Sequence, residues 1–176
     1  MKYELTTETI VQCGVTLYRI RRTETGEMGG FIESEKNLSQ DDGDAWVSGN
    51  AQVYGDAWVS GNARVSGNAQ VYGDAQVYGD AWVSGNARVS GNAQVSGNAW
   101  EVSPLQIMGT KFFFSVSSKT TITVGCTTKT IEEWQVTYEE EFKAHRFTKK
   151  QRFEYKAYFN LASSLYGWGV TLPMED

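Results

Sequence analysis

The fold of this chain is decided by residues 43–100, which read GDAWVSGNAQVYGDAWVSGNARVSGNAQVYGDAQVYGDAWVSGNARVSGNAQVSGNAW. The stretch contains ten hexapeptide units of the type Gly-(Asn/Asp)-Ala-x-Val-x, with glycine at every sixth position from Gly43 to Gly97. Valine alternates with variable residues, which predicts short strands with one buried face. Each Gly-Asn or Gly-Asp pair predicts a corner, because these residues enter left-handed backbone conformations most readily. A constant six-residue period therefore predicts a solenoid.

Antiparallel hairpins are the competing interpretation, since Gly-Asn and Gly-Asp also mark tight turns between antiparallel strands. Hairpins here would have only about four residues per strand and would bury only alanine and valine. Ten uninterrupted units favour the solenoid over such a thin meander.

The repeats resemble those of left-handed parallel β-helices, for instance in the blocks VSGNAQ, VYGDAW and VSGNAR. The resemblance implies three hexapeptides per triangular coil, and hence about three coils in this chain. A prism of that height has two open ends with unpaired backbone groups, which the flanking segments are expected to cap. We therefore predict a mainly β protein with three parts: an N-terminal hairpin and cap (1–42), the β-helix (43–103) and a C-terminal unit (104–176).

The flanks carry their own secondary-structure signals. Residues 2–22 read as a hairpin that turns near Cys13. Residues 111–118 and 120–128 form a second hairpin candidate, and capping boxes at Thr130 and Thr148 predict two helices after it. The C-terminal unit is thus expected to have the order ββαα. The apolar helix faces are Ile131, Trp134, Tyr138 and Phe142 in the first helix, and Tyr155, Tyr158, Phe159, Ala162 and Leu165 in the second.

The flanking motifs resemble those of a group of phage and prophage proteins. The motifs are Gly-Gly-Phe-Ile-Glu at 29–33, Asn-Leu-Ser at 37–39, Val-Gly-Cys at 124–126 and Ile-Glu-Glu-Trp at 131–134. The resemblance implies a phage-type protein. The chain has only two cysteines, Cys13 and Cys126, far apart in sequence, which favours reduced thiols and hence a location in the cytoplasm, here that of an infected bacterial host.

Left-handed β-helices are best known as acyltransferases with a histidine general base and as carbonic anhydrases with three zinc-binding histidines. This chain has a single histidine, His145, so a three-histidine zinc site is impossible. We expect His145 to be a surface residue at the end of the first helix, and Cys126 to be a buried structural thiol. No catalytic residue, cofactor site or metal site is predicted, and an acyltransferase is the least expected function.

The residue between alanine and valine in each unit should face outward. With 18 residues per coil, Trp46, Arg64, Trp82 and Trp100 would share one column, with arginine stacked between tryptophans. Tyr54 and Tyr72 would stack in a second column. Exposed aromatic columns often mark interfaces, so we expect self-association, with a trimer as the first choice by resemblance to the β-helix family. The interface or ligand candidates are Trp46, Trp58, Arg64, Trp82, Arg88, Trp100, Tyr54 and Tyr72.

Charge and hydropathy exclude two classes of partner. The net charge is −5, and the basic residues form no strongly basic segment, which disfavours nonspecific nucleic acid binding. The sequence has no apolar run near the roughly 20 residues that span a bilayer. We expect a non-enzymatic scaffold or binding protein that acts through protein contacts, one specific version being an inhibitor of a host defence system. The alternative is a protein that sequesters a small nucleotide between protomers.

Overall fold

The structure is a computed structural model that describes residues 1–41, 43–97, 99–100 and 103–174. It divides into two compact units, Met1–Pro104 and Leu105–Asp176. The first unit contains the N-terminal hairpin and the repeats, and the second contains a small sheet and two helices.

The repeats form a β-solenoid with three walls. Wall A consists of β5 (Gln52–Val53), β8 (Gln70–Val71) and β11 (Arg88–Val89). Wall B consists of β6 (Trp58–Val59), β9 (Gln76–Tyr78) and β12 (Gln94–Ser96). Wall C consists of β4 (Trp46–Val47), β7 (Arg64–Val65), β10 (Trp82–Val83) and β13 (Ala99–Trp100). Neighbouring strands in a wall are parallel and pair residues such as Val53 and Val71, so three hexapeptides complete one coil and the solenoid prediction is confirmed.

Side chains fill the interior of the solenoid. The nine repeat valines from Val47 to Val95 have no exposed surface, and the repeat alanines from Ala45 to Ala93 are at most 1% exposed. The burial of a valine side chain contributes roughly 1.5–3 kcal/mol, so this column is the main source of stability in the repeats. Any ligand or partner of the repeats must therefore bind on the outer surface of the walls.

The corners of the solenoid stack on one another through both backbone and side chains. The Asn62 amide donates to the Gly79 carbonyl oxygen at 2.8 Å, and the Asn62 side chain donates to the Asp80 carboxylate at 3.0 Å. Asn50 and Asn68 make a similar side-chain contact of 3.4 Å at another corner. At these two corners the ladders account for the asparagine or aspartate that follows the glycine.

The solenoid begins before the first repeat of the sequence. The N-terminal strands are β1 (Tyr3–Gln12), β2 (Val15–Arg22) and β3 (Met28–Ile32), and β1 and β2 form the predicted hairpin. Strand β3 pairs Ile32 with Val53 in wall A, and Leu38 bridges to Val59 in wall B. With these early rungs the solenoid has about four turns, one more than the sequence predicts. The extra turn lacks the Gly-Asn-Ala-x-Val pattern, which is why the sequence does not reveal it.

The last rung of wall C is out of phase by one residue. Trp82 pairs with Ala99, and Val83 pairs with Trp100. Trp100 thus takes the inward position that valine occupies in earlier coils, and it is only 5% exposed. The predicted outward position of Trp100 is wrong, because the register slips before the repeat pattern ends.

The C-terminal unit packs two helices with a four-stranded antiparallel sheet. Its strands are β14 (Gln106–Met108), β15 (Phe113–Val116), β16 (Thr121–Val124) and β17 (Thr127–Thr130). Its helices are α1 (Ile131–Ala144) and α2 (Lys149–Tyr166). The segment 120–128, predicted as one strand, is broken by a turn at Gly125, whose φ is +60°.

The helix caps confirm the sequence prediction. Thr130 and Thr148 each accept a hydrogen bond from the backbone three residues later in a capping box. The apolar face of α1 is buried as predicted, whereas in α2 Leu165 is 62% exposed. Lys156 and Ser163 are buried in α2, so its inner face is rotated from the predicted one.

Candidate functional site

Wall C carries the predicted column of tryptophan and arginine in part. Arg64 pairs in register with Trp46 on one side and Trp82 on the other, as expected from the coil length. Trp46, however, is only 4% exposed, because the Arg22 guanidinium lies 4.2 Å from its ring and Tyr3 contacts its edge. Of the two tryptophans beside Arg64, therefore, only Trp82 offers a free face.

The expected stacking of Arg64 between the two tryptophans is wrong. Over the described part of wall C, the cation–π contact is made by Arg22 on Trp46, while the Arg64 guanidinium lies 3.3 Å from the Asp44 carboxylate. Asp44 also pairs with Arg22 at 3.2 Å. A carboxylate between two guanidinium groups competes with ring stacking, and the sequence does not show that Arg22 would reach this wall.

The N-terminal hairpin covers wall A at the end where the first repeat strand, β5, lies. Tyr54 and Tyr72 stack as predicted, with ring centroids 5.2 Å apart and planes at 6°. Tyr54 is only 8% exposed, because it packs in a cluster with Leu17 and Phe31. Tyr54 is therefore part of a packed joint within the first unit, and it is not available as an interface residue. Arg88, farther along the wall, is exposed.

The exposed aromatic residues flank the corner between walls B and C. Trp58 on wall B is 45% exposed and Trp82 on wall C is 50% exposed. Trp58 lines a hollow of about 480 Å³ with Tyr78, and Trp82 lines one of about 450 Å³ with Arg64 and Asp80. We call Trp58, Tyr78 and Trp82 the tryptophan edge. Trp58 and Trp82 are the predicted candidates whose aromatic rings remain open to solvent, whereas the sequence analysis did not single out Tyr78.

The charged groups beside the tryptophan edge are close to balanced, because the Asp44 carboxylate also pairs with Arg22 from outside the hollow. The hollow beside Trp82 brings together the Asp44 and Asp80 carboxylates and a single guanidinium from Arg64. The Trp82 indole donates a hydrogen bond to the Ser66 hydroxyl at 3.1 Å, which fixes the orientation of the ring. The edge thus presents fixed aromatic surface next to charged groups, a combination typical of protein interfaces.

The second unit contains a cavity that the sequence analysis missed. The cavity has a volume of about 180 Å³, and its lining includes Cys126, Trp134, Glu141, Phe142 and His145. Cys126 is exposed at its mouth, so the expectation of a buried thiol is wrong. His145 is a partly exposed residue at the end of α1, as expected, but it also lines this cavity.

Two local structures bring Cys126 and His145 to the cavity. Cys126 follows Gly125 in the two-residue turn between β16 and β17. The end of α1 is a Schellman motif, in which Phe147 donates its backbone amide to Phe142 at 2.8 Å and Arg146 has a φ of +53°. The sequence signals for both were the Val-Gly-Cys motif and the aromatic spacing of 134–147, but neither shows that they enclose a space.

Charged groups meet at one side of this cavity. Lys129 Nζ lies 2.5 Å from one Glu141 oxygen, and His145 Nε2 lies 3.6 Å from the other. Within the described ranges, no group of three His, Cys, Asp or Glu side chains could hold a metal ion. Neither α1 nor α2, the two α-helices of the described chain, is long and apolar enough to span a membrane.

The fold and surfaces define a β-solenoid repeat protein with a separate C-terminal unit. A family model described as the YdcK beta solenoid repeat matches the chain in overlapping segments within residues 51–97 (51–67, 57–73, 69–85, 75–91 and 81–97). The chain is similar to that family over the repeats, which are less than half of its length. No curated protein matches the chain.

Proposed function

We propose that this chain is a non-enzymatic scaffold or binding protein that acts through protein contacts at the tryptophan edge. One observation carries the proposal: Trp58 and Trp82 remain about half exposed on a solenoid whose interior is filled. Large exposed aromatic side chains are uncommon on surfaces that serve only solvation, and tryptophan is enriched at the centres of interfaces. The hydrogen bond from Trp82 to Ser66 reduces the entropy that this ring would lose on binding.

The first partner that we propose is another copy of the chain, in a homotrimer packed through the solenoid walls. The walls are regular surfaces, and three related copies could pack their tryptophan edges around a common axis. A closed trimer would bury the exposed rings without leaving an unpaired face on which chains could add without limit.

Sedimentation of the full chain at high micromolar concentration tests this assembly. The repeats themselves suggest conservative replacements. In the neighbouring coil Gln76 occupies the position of Trp58, and Arg64 occupies that of Trp82. Trp58→Gln and Trp82→Arg therefore introduce residues that this solenoid already accommodates at equivalent positions. Replacement of either tryptophan should weaken assembly by about 2 kcal/mol or more, roughly 30-fold in affinity. Arg88→Gln on wall A is the matched control, since Gln70 occupies the neighbouring position there.

A wild-type chain that stays monomeric at this concentration would refute the trimer and leave a different protein as the partner. Affinity capture from a bacterial lysate with wild-type and doubly substituted baits would then test protein contacts in general. A protein held by the wild type and by Arg88→Gln, but lost with the double variant, would support the proposal. Identical captures with all three baits would reject the tryptophan edge as the site.

A more specific version of the proposal concerns the origin and the biological role of this protein. The resemblance of the end motifs to phage and prophage proteins, together with the hexapeptide pattern, supports a phage-type protein of the left-handed class. It would act in the cytoplasm of the infected host, for instance as an inhibitor of a defence system. Recovery of a defence protein as the captured partner is the outcome expected from this form.

A nucleotide-sequestering role is the second candidate, favoured by the hollow that places Arg64 beside the open face of Trp82. A base could stack on the ring while the guanidinium faces a phosphate. Asp44 and Asp80 line the same hollow and oppose an anion, so we rank this role below protein contacts. A thermal-shift series with nucleotides tests it, and a shift lost in Trp82→Arg would raise its rank. Acyl transfer ranks last, and acetyl-CoA turnover that disappears in His145→Ala would revive it.

A further inference from the structure

The cavity in the C-terminal unit is independent of the proposed protein contacts at the tryptophan edge. Its buried lining is aromatic and consists chiefly of Trp134, Phe142 and Phe147, none of them more than 6% exposed. Its mouth is marked by two exposed residues, Cys126 and His145. The cavity is therefore an apolar recess that a small molecule could enter from solvent.

The aromatic part of the cavity wall presents no free hydrogen-bonding group to the cavity. The Trp134 indole nitrogen donates to the Ile122 carbonyl oxygen at 3.0 Å, so its only donor is already used. Phe142 and Phe147 stack with ring centroids 4.7 Å apart, held by the backbone turn at the end of α1. Neither contact leaves a free hydrogen-bonding group on these three aromatic side chains, so this part of the lining gives water few partners.

The size of the cavity sets the size of its ligand. Protein interiors contain few spaces larger than a water molecule, and an engineered apolar cavity of about 150 Å³ binds benzene. At about 180 Å³, this cavity has room for one aromatic ring and a small substituent. A longer side chain at Thr127 would fill part of the space, and threonine leaves it open.

The polar groups at the cavity select the substituent. Glu141 is held between Lys129 and His145, and its carboxylate can accept a hydrogen bond from a ligand hydroxyl. The His145 ring is placed against the edge of Phe112, with centroids 5.7 Å apart. A charged ligand would have to lose its hydration to enter the aromatic recess, which is costly.

The geometry points to a binding site for a neutral molecule of phenol class, with one aromatic ring in the recess and a hydroxyl group toward Glu141 and His145. The ring would contact Trp134, Phe142 and Phe147. This ligand class follows from the cavity alone, and a failure of the tryptophan-edge experiments would leave it unaffected.

The two cysteines allow a direct test on the full wild-type chain. Both are free and exposed, but only Cys126 lines the cavity, so Cys13 is an internal reference. The rates of alkylation by iodoacetamide at each thiol are measured by mass spectrometry with increasing phenol, and in parallel with benzoate. We expect phenol to slow alkylation of Cys126 several-fold in a saturable way, with Cys13 unchanged and benzoate much less effective.

A filled cavity provides the second arm. Thr127→Met adds a longer apolar side chain at the cavity lining, while Lys119→Met adds the same side chain at the exposed turn between β15 and β16. Protection of Cys126 should be lost in Thr127→Met and kept in Lys119→Met.

Three results would overturn the assignment. Unchanged alkylation of Cys126, or equal slowing of both thiols, would show that phenol does not occupy the cavity. Equal protection by benzoate would reject the neutral class. Protection that persists in Thr127→Met would place the ligand elsewhere.

Discussion

Each corner residue of the solenoid is selected by its backbone conformation and by its distance from the next coil. Gly61 and Gly79 occupy equivalent corners and have nearly the same φ, +64° and +62°. A Cβ atom at Gly61 would lie 3.0 Å from the Gly79 nitrogen, whereas one at Gly79 would have no atom of the described residues within 4 Å. The two positions therefore separate conformational strain from crowding between coils.

We predict that Gly61→Ala destabilises the solenoid more than Gly79→Ala does. Left-handed backbone costs a non-glycine residue about 1–2 kcal/mol, and this term is common to both variants. Crowding against the backbone of the next coil should add at least about 1 kcal/mol at Gly61. Urea unfolding of both variants measures the difference. If Gly61→Ala and Gly79→Ala lose the same unfolding free energy, the corners of adjacent coils can move apart to make room for the added methyl group. That result would refute the close stacking of the coils.

The pKa of the Tyr158 hydroxyl in α2 depends on the burial of this side chain. Burial, and then the hydrogen bond that its hydroxyl donates to Glu154 at 2.7 Å, raise the pKa of Tyr158 to about 12. The folded state thus holds this proton more tightly than the unfolded state, whose tyrosine pKa is about 10. The stabilising contribution is complete below pH 10 and is lost as the pH rises through 12.

We predict that Tyr158→Phe lowers the sensitivity of the chain to alkali. The free energy of unfolding of the wild type should fall between pH 9 and 12, and the fall should be smaller in Tyr158→Phe, because that proton is no longer lost. Tyr18→Phe, at an exposed tyrosine of the N-terminal hairpin, is the control. Identical pH profiles for wild type and Tyr158→Phe would show that the tyrosine keeps its ordinary acidity.

The elements that the sequence predicts correctly are those fixed by local patterns. The buried face of α1, from Ile131 to Phe142, follows from helical spacing, and the capping box at Thr130 sets its beginning. Valines six residues apart fix the inward face of each wall in the same way. Leu165 is exposed although its spacing along α2 matches the apolar face. The face of α2 that is buried depends on how the helix packs in the unit, which the spacing of apolar residues does not fix.

The candidate site depends on contacts between distant parts of the chain, which local patterns do not encode. Trp46 is buried because Arg22 and Tyr3 reach it from the hairpin, and nothing in the repeat pattern distinguishes it from Trp58 or Trp82. The cavity forms where a two-residue turn and a helix end converge. The sequence shows Cys126 and His145 as separate features, and only packing places them around one space.

The whole molecule combines two units whose stability comes from different sources. The first unit is a stack of coils in which each repeat contacts its neighbours, so its stability grows with the number of coils. The second unit, Leu105–Asp176, depends on an aromatic core in which Trp134 and Phe114 both contact Phe159, with ring centroids 5.1 and 5.3 Å apart. These aromatic contacts join residues of the second unit only.

We predict that residues 105–176 fold when produced alone. Their aromatic contacts, both capping boxes and the four-stranded sheet lie within the unit, and a core of this size supplies at most about 3–5 kcal/mol of unfolding free energy. The isolated fragment should unfold cooperatively in urea and give the near-ultraviolet circular dichroism of immobilised aromatic rings. Phe159→Ala, which removes the ring that both Trp134 and Phe114 contact, should cost about 3–5 kcal/mol and abolish the transition. A fragment without a cooperative transition or near-ultraviolet signal would mean that this core forms only when the solenoid is present.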